Sequence, residues 1–309
     1  MHTMTQEQLA RFNKLVGERC DLFFPAAKQV VLENRLRERL LACGHSDYDN
    51  YYNRLLEEPE EMQNLLEGLT VNETRFFRNP AQFKALRERI LPGMIDGRNR
   101  EIVKSWGDET RPWKWGERHP LMHLRAWSAG CSTGEEAYSI VFTILDSLKF
   151  PRAWDIEITA TDINRSVLGH ARMGVYGNNA AKDITPDVLA RHMDRREGGL
   201  VVKEFPARLV KFYESNLKDL SARRGIMTLT SADGLEAERD ATGYFDIILC
   251  RNVMIYFDRT AQARLVNTLY RCLKPGGFLF TGDSEPLHLF EHEFNVITDG
   301  DAVYYVKPS

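Results

Sequence analysis

Hydrophobic positions recur at helical spacing through the first ~95 residues and alternate between strand and helical spacing from Leu124 on. Leu9, Phe12, Leu15 and Val16 share one face of a helix predicted from Thr5 to Cys20. A second helix is predicted over residues 26–43. Val30, Val31, Leu36, Leu40 and Leu41 are its apolar positions, Arg35, Arg37 and Arg39 its polar ones, and Gly44 ends it. A third (about 47–57) stops before Pro59 and a fourth (about 60–68) near Gly68. A fifth begins at Asn79-Pro80, where proline's missing N–H costs nothing. Residues 96–122 read as a long loop or insertion carrying Gly97, Gly107, Gly116, Pro112, Pro120, Trp106, Trp113 and Trp115.

From Leu124 onward, strands and helices alternate. Strands are predicted at 124–130, 155–163, 226–232, 244–250 and 278–282, with helices at 134–148, 165–173 and 260–272. Alternation of this kind implies a parallel sheet with helices on both faces. Two final β-rich runs joined by Asp299-Gly300-Asp301 predict an antiparallel hairpin at the sheet edge. The expected fold is therefore α/β: a doubly wound, mostly parallel seven-stranded sheet with a C-terminal hairpin, behind a small all-α N-terminal domain. The expected boundaries are 1–78 for the helical domain, 79–122 for a linker helix and inserted loop, and 123–309 for the α/β domain. An inserted subdomain occupies about 174–225. Within it, 184–193 reads as a helix capped by Thr185 with Pro186 first, and 198–206 as a short strand. Residues 208–225 fit helix and strand equally.

The chain has 309 residues, 43% hydrophobic and 28% charged, which suits a globular protein and excludes a mainly disordered one. A net charge of −3 gives no sign of a nucleic-acid binder. No apolar run is long enough to span a bilayer, and the N-terminus lacks the pattern of an export signal. The five cysteines have no C-x-x-C spacing, which fits reduced thiols in a cytoplasmic protein.

The candidate chemistry begins where the first strand of the sheet runs into Gly130-Cys131-Ser132-Thr133-Gly134-Glu135-Glu136. Ligands of doubly wound sheets bind at the carboxyl ends of the strands, and a carboxylate ending the second strand, here Asp162, suits a ribose. A dinucleotide would lay its pyrophosphate on the helix N-terminus. Glu135 and Glu136 would repel it, and the full G-x-G-x-x-G pattern is absent. S-adenosylmethionine (SAM) carries a sulfonium and an ammonium and no phosphate, so acidic residues attract it. The two glutamates also complement the helix dipole, at about 0.3–1 kcal/mol each. Local charge and the terminal hairpin favour SAM, with a dinucleotide-dependent reductase as the second reading.

Four blocks carry a resemblance: residues 69–83 (LTVNETRFFRNPAQF), 127–140 (WSAGCSTGEEAYSI), 160–164 (ATDIN) and 250–258 (CRNVMIYFD). Together, and in this order, they resemble the CheR family of SAM-dependent protein-glutamate O-methyltransferases, from about Leu9 to Val306. The resemblance implies a helical N-terminal domain joined to a SAM-binding domain. It implies that Asn72, Thr74 and Arg78 face SAM and the target carboxylate. Gly130 belongs to the cofactor loop, Glu136 lies near the methionine portion or ribose, and Asp162 binds the ribose hydroxyls. Asp233, after the strand read as third, stands where the family usually has an Asn that touches adenine. Arg251 and Asn252 line the cofactor, and Tyr256 reaches the reacting centre with Arg78. The implied partner is the cytoplasmic domain of a methyl-accepting chemotaxis-type receptor, with no nucleic acid and no direct membrane insertion expected; a monomer is favoured, with the sequence leaving the oligomeric state open. A receptor methylesterase would reverse the modification. A SAM-binding scaffold without transfer activity is the non-enzymatic alternative, and the presence of Arg78 and Tyr256 argues against it.

The arginines of the second helix suit either a solvated face or docking onto an acidic receptor. His288-x-x-Glu291-His292 matches a zinc-protease pattern, but no third ligand is evident; a solvated connecting helix is expected there and no metal. In some family members a small β-subdomain grips a receptor-tail pentapeptide. Gly198–Val202 resembles part of it, but 206–225 is longer and less strand-like, so the sequence leaves tail docking on residues 174–225 open.

Overall fold

A computed structural model of the chain describes residues 4–105 and 122–309. The tryptophan-bearing part of the expected loop lies outside these residues.

Four helices build the N-terminal domain: α1 (Gln6–Cys20), α2 (Gln29–Ala42), α3 (Tyr48–Glu57) and α4 (Pro59–Leu69). Thr5 starts α1 with a reciprocal capping box with Gln8. The expected core face of α1 is buried, against Leu32, Leu36 and Leu40 of α2. On α2, Val30, Val31 and Leu41 are exposed instead, because residues four apart stack on one stripe and Leu32-Leu36-Leu40 is that stripe. Arg39 is not solvated either. It pairs with the buried Glu61 of α4, Nε to Oε1 at 3.0 Å, and Glu61 also accepts from the Tyr51 hydroxyl at 2.7 Å.

A linker leads into α5 (Pro80–Ala85), a π-helical turn at Leu86–Ile90 and α6 (Leu91–Ser105). Residues 96–105, expected to open the loop, are therefore helical. Gly97 is tolerated inside a helix at a cost of ~1 kcal/mol, and Arg98 anchors it by an ion pair to the buried Asp246, at 2.6 Å.

The α/β domain then runs β1 (His123–Ala129), α7 (Glu135–Ser147), β2 (Asp155–Asp162), α8 (Arg165–Met173), β3 (Val175–Tyr176), α9 (Pro186–His192), β4 (Met193–Arg196), β5 (Gly199–Val202) and α10 (Glu204–Leu209). It continues with β6 (Val210–Glu214), α11 (Leu217–Ala222), β7 (Ile226–Thr230), β8 (Glu236–Asp240), β9 (Phe245–Cys250), α12 (Arg259–Cys272), β10 (Leu273–Thr281), β11 (Asn295–Asp299) and β12 (Ala302–Val306). The main sheet has nine strands in the order β11-β12-β10-β9-β1-β2-β6-β7-β8. Its centre, β10-β9-β1-β2-β6, is parallel. The hairpin β11-β12 closes one side, antiparallel to β10, as the sequence predicts.

Nine strands replace the expected seven, and the difference lies at the opposite edge. The third parallel strand is β6, not 226–232. Val210 and Phe212 turn one face of β6 into the core, where Tyr138 of α7 packs edge-on against Phe212. Residues 226–230 form β7, antiparallel to β6, and β8 is added outside it. The inserted β-subdomain is correspondingly smaller than expected: a three-stranded antiparallel sheet, β3-β5-β4. The metal-like motif at 288–292 is a 3-10 turn (Leu287–Leu289) and an irregular stretch rather than a helix, so its three side chains share no helical face.

Candidate functional site

The strand order reverses at β1, so the crevice at its carboxyl end is where a ligand of this sheet is expected. A cleft lies there, enclosing about 960 Å³ with its open mouth included. Its floor is the ends of β1, β2, β6 and β9, and its roof is residues 69–74 with Cys20 and Leu22 of the helical domain. Asn72, Thr74, Arg78, Gly130, Glu136, Asp162, Arg251, Asn252 and Tyr256 all line it.

Gly130 opens the loop after β1 with φ +79°; a Cβ there would lie 2.4 Å from Val253 Cγ2. The Gly130 and Cys131 amides donate to the Thr161 carbonyl, at 2.8 and 2.9 Å, binding the loop to the end of β2. Gly134 starts α7 at φ +96°, pressed against Ala171 of α8. Asp162 is fixed by two backbone donors, Ser132 N to Oδ2 at 2.8 Å and Asn164 N to Oδ1 at 2.9 Å. Each oxygen keeps a lone pair for a diol. Burial pushes its carboxyl above the ordinary range, partly offset by those two amides.

Glu136 and Arg251 are both buried and pair with each other, Nε to Oε2 at 2.7 Å. Glu136 Oε1 also accepts from Ser128 Oγ at 2.6 Å. Arg251 Nη1 donates to the Arg78 carbonyl at 2.6 Å and to Gln82 Oε1 at 3.2 Å. The pair thus ties the sheet to the linker that carries Arg78. The Arg78 side chain donates one N–H to the Glu73 carbonyl, at 2.9 Å, its one hydrogen bond among the described residues, and it lines the cleft. Burial pushes the Tyr256 phenol up, against the pull of Arg78, so at neutral pH it is a hydrogen-bond donor.

Asp233 is not in the cleft. It is exposed in the turn between β7 and β8, bonded to Ser231. Because β6 is the third parallel strand, the residue in the corresponding place is Asn216, which lines the cleft between Ser215 and Leu217. Asn216 caps α11 through Lys218 N and donates to the Arg19 carbonyl of α1, at 2.8 Å. Three further contributions carried no signal of their own in the sequence. Ser132 presents its amide to Asp162, residues 20–22 close the roof, and Glu285 holds the turn after β9.

The helical domain reaches the site by backbone pairing: Leu22 bridges Phe257, and Phe23 N donates to the Tyr256 carbonyl at 2.9 Å. Gln63 Nε2 donates to the Ile163 carbonyl at 2.7 Å, beside Asp162.

The residues present suit SAM. Glu135, capped by Thr133 Oγ1 at 2.7 Å, occupies the N-terminus of α7 where a pyrophosphate would need to sit. Asp162 offers a carboxylate for ribose hydroxyls, and the acidic surroundings favour a cationic, phosphate-free nucleoside. A doubly wound parallel sheet with a terminal antiparallel hairpin and this cleft defines a SAM-dependent methyltransferase.

Comparison with known proteins narrows the class. Residues 7–70 match the profile of the CheR methyltransferase all-alpha domain, and residues 72–231 and 221–302 that of the CheR methyltransferase SAM-binding domain. The chain is 33% identical to the chemotaxis protein methyltransferase of Escherichia coli, covering 97% of this chain and 91% of that one. It is 29% identical to chemotaxis protein methyltransferase 2 of Vibrio cholerae, covering 99% and 94%. A probable biofilm formation methyltransferase, WspC, of Pseudomonas aeruginosa is 32% identical, over 91% of this chain and 58% of the relative. The protein belongs to the CheR methyltransferase family. Among the described residues, no helix is long and apolar enough to cross a membrane.

Proposed function

We propose that the protein methylates glutamate side chains on the cytoplasmic helical domain of a chemotaxis-type receptor, producing glutamyl methyl esters and S-adenosylhomocysteine for sensory adaptation. The observation that carries this reading is the meeting of Arg78 and Tyr256 at a cleft whose other lining groups suit SAM. SAM supplies an electrophilic methyl on sulfur. As the new O–CH3 bond forms, the S–CH3 bond breaks and its electron pair stays on sulfur. No proton moves, because a glutamate with a pKa near 4.3 is already ionised at neutral pH. The protein therefore needs no general base.

Its task is alignment, with reacting atoms held at ~3–3.5 Å. Arg78 offers a planar fork to the incoming carboxylate. The Tyr256 phenol donates to the same carboxylate or covers the sulfonium with its ring. Asp162 holds the ribose, with Asn72, Thr74, Gly130, Glu136, Arg251 and Asn252 around the donor. Asn216 and Leu217 take the adenine end in place of Asp233. Similarity to both chemotaxis and biofilm-formation methyltransferases supports a receptor from either kind of signalling pathway.

The test is transfer of labelled methyl from SAM to a receptor cytoplasmic fragment. The expected product is a label released as methanol in alkali, the mark of a methyl ester. Arg78→Ala, which loses a charge-assisted pair worth ~1.5–3 kcal/mol, is expected to lower transfer about 10- to 100-fold while still binding SAM. An alkali-stable label, or an unimpaired Arg78→Ala, contradicts the reading.

A further inference from the structure

Behind the turn that follows β9 sits a carboxylate that the chemistry above does not use. Glu285 is 6% exposed, and among the described residues no cation pairs with it. Leaving an unpaired carboxylate in a protein interior is costly unless hydrogen bonds compensate. Here the compensation comes from three backbone donors. Oε2 accepts from Asn252 N at 2.6 Å and from Gly282 N at 2.8 Å, and Oε1 accepts from Ile255 N at 3.1 Å.

Two of these donors belong to the turn whose residues Asn252 and Tyr256 line the cleft. That turn begins in a conformation that L residues rarely adopt: Asn252 has φ +59°. Asparagine enters this left-handed region more readily than other non-glycine residues, and the bond from its amide to Glu285 holds it there. The far end of the turn is held otherwise, by Phe23 N on the Tyr256 carbonyl and by Gln262 Nε2 on the Met254 and Phe257 carbonyls, at 2.7 and 3.0 Å. Glu285 holds its beginning. It lines a separate hollow with Met254, Ile255 and Arg259 and is not among the residues that line the cleft.

We infer that Glu285 is a positioning residue for methyl transfer, gripping the amides of Asn252 and Ile255 so that Asn252 and Tyr256 are presented to the cleft. This rests on the roles proposed for those two residues. An amide at this position keeps one acceptor oxygen and turns an NH2 towards backbone N–H groups, so Glu285→Gln releases the turn without changing its bulk.

The test is a double-mutant cycle in the full-length protein. Glu285→Gln is expected to lower kcat about 10-fold in the wild-type background, and less than twofold further when Tyr256 is already Phe. The same variant is expected to raise the Kd for S-adenosylhomocysteine at least fivefold through Asn252. Equal kcat losses in both backgrounds, or unchanged kcat and Kd, overturn the inference. If Glu285→Gln does not fold, Gly282→Ala serves instead. Its Cβ would stand 2.6 Å from Glu285 Oε2 and 3.0 Å from Asn252 N, displacing the carboxylate with its charge retained. A wild-type protein that methylates no receptor fragment contradicts the proposed function alone, and the Kd comparison still decides the role of Glu285.

Discussion

Asp162 is the residue to which the proposed function assigns the ribose of the donor, and its surroundings set its pH behaviour. The two backbone amides orient it, while burial raises its pKa above the ordinary 3.8. A raised carboxyl pKa means the folded protein holds its proton longer than the unfolded chain does. The group's contribution to stability therefore falls as pH rises through the folded-state pKa. Binding runs the other way. Ribose hydroxyls are accepted best by the carboxylate, so SAM affinity is expected to fall as pH drops through that raised pKa, with a proton released on binding in the same window. Calorimetry in buffers of different ionisation enthalpy checks both. Asp162→Asn removes hydrogen bonds to a charged acceptor, at ~1.5–3 kcal/mol, and is expected to weaken SAM about 10- to 100-fold and to flatten the pH dependence. Glu61 is the opposite case. Burial alone would raise it, but hydrogen bonds from Arg39 and Tyr51 outweigh burial and hold it below its ordinary 4.5. Its stabilisation is complete above the unfolded-state value and is lost as pH falls through the depressed one. Glu61→Gln is expected to cost ~1–3 kcal/mol at neutral pH and to make acid unfolding shallower, as read by thermal melts.

At the scale of elements, β1, its glycine loop and α7 were legible because each local signal agreed: a strand run, then Gly130 and Gly134, then Glu135 and Glu136 at a helix start. Both glycines have positive φ, and a Cβ on Gly134 would meet Ala171 Cβ at 2.8 Å. Gly134→Ala is expected to destabilise by at least 1 kcal/mol and to weaken SAM binding, measured by melts and titration. The segment 208–225 was not legible. Its apolar residues satisfy a helical and a strand period at once, and what settles β6 is contact with β2 over Ile158–Asp162, far away in sequence. Losing β6 shifted the strand count and put Asp233 where Asn216 belongs. On α2, periodicity gave the helix correctly but not the buried stripe, since Val30, Val31 and Leu41 are as apolar as the leucines that pack. Of the site, the motif-borne residues were readable. Ser132, Glu285 and the roof at 20–22 were not, because they act through backbone groups or arrive from another domain.

At the scale of the molecule, the cleft exists because two domains close on each other. The C-terminal end of α1 is gripped by Lys218, whose Nζ lies 3.0 Å from the Gly17 carbonyl, and by Asn216. Asp21, just beyond it, pairs with Arg264 at 3.1 Å. On the other side of the cleft, Asn164 Nδ2 donates to Thr70 Oγ1 at 2.9 Å, at the start of the segment that roofs Asp162. A cation at a helix C-terminus also complements its dipole. Lys218→Ala is therefore expected to loosen the roof, weakening SAM several-fold with little loss of overall stability, a split that titration and melting read separately.

The most direct measurement is isothermal titration of the intact protein with SAM, S-adenosylhomocysteine and NADH in parallel. The account predicts one site per chain for SAM and its demethylated product, lost or weakened at least tenfold by Asp162→Asn, and no heat from NADH. Saturable NADH binding, or SAM binding indifferent to Asp162→Asn, would contradict it.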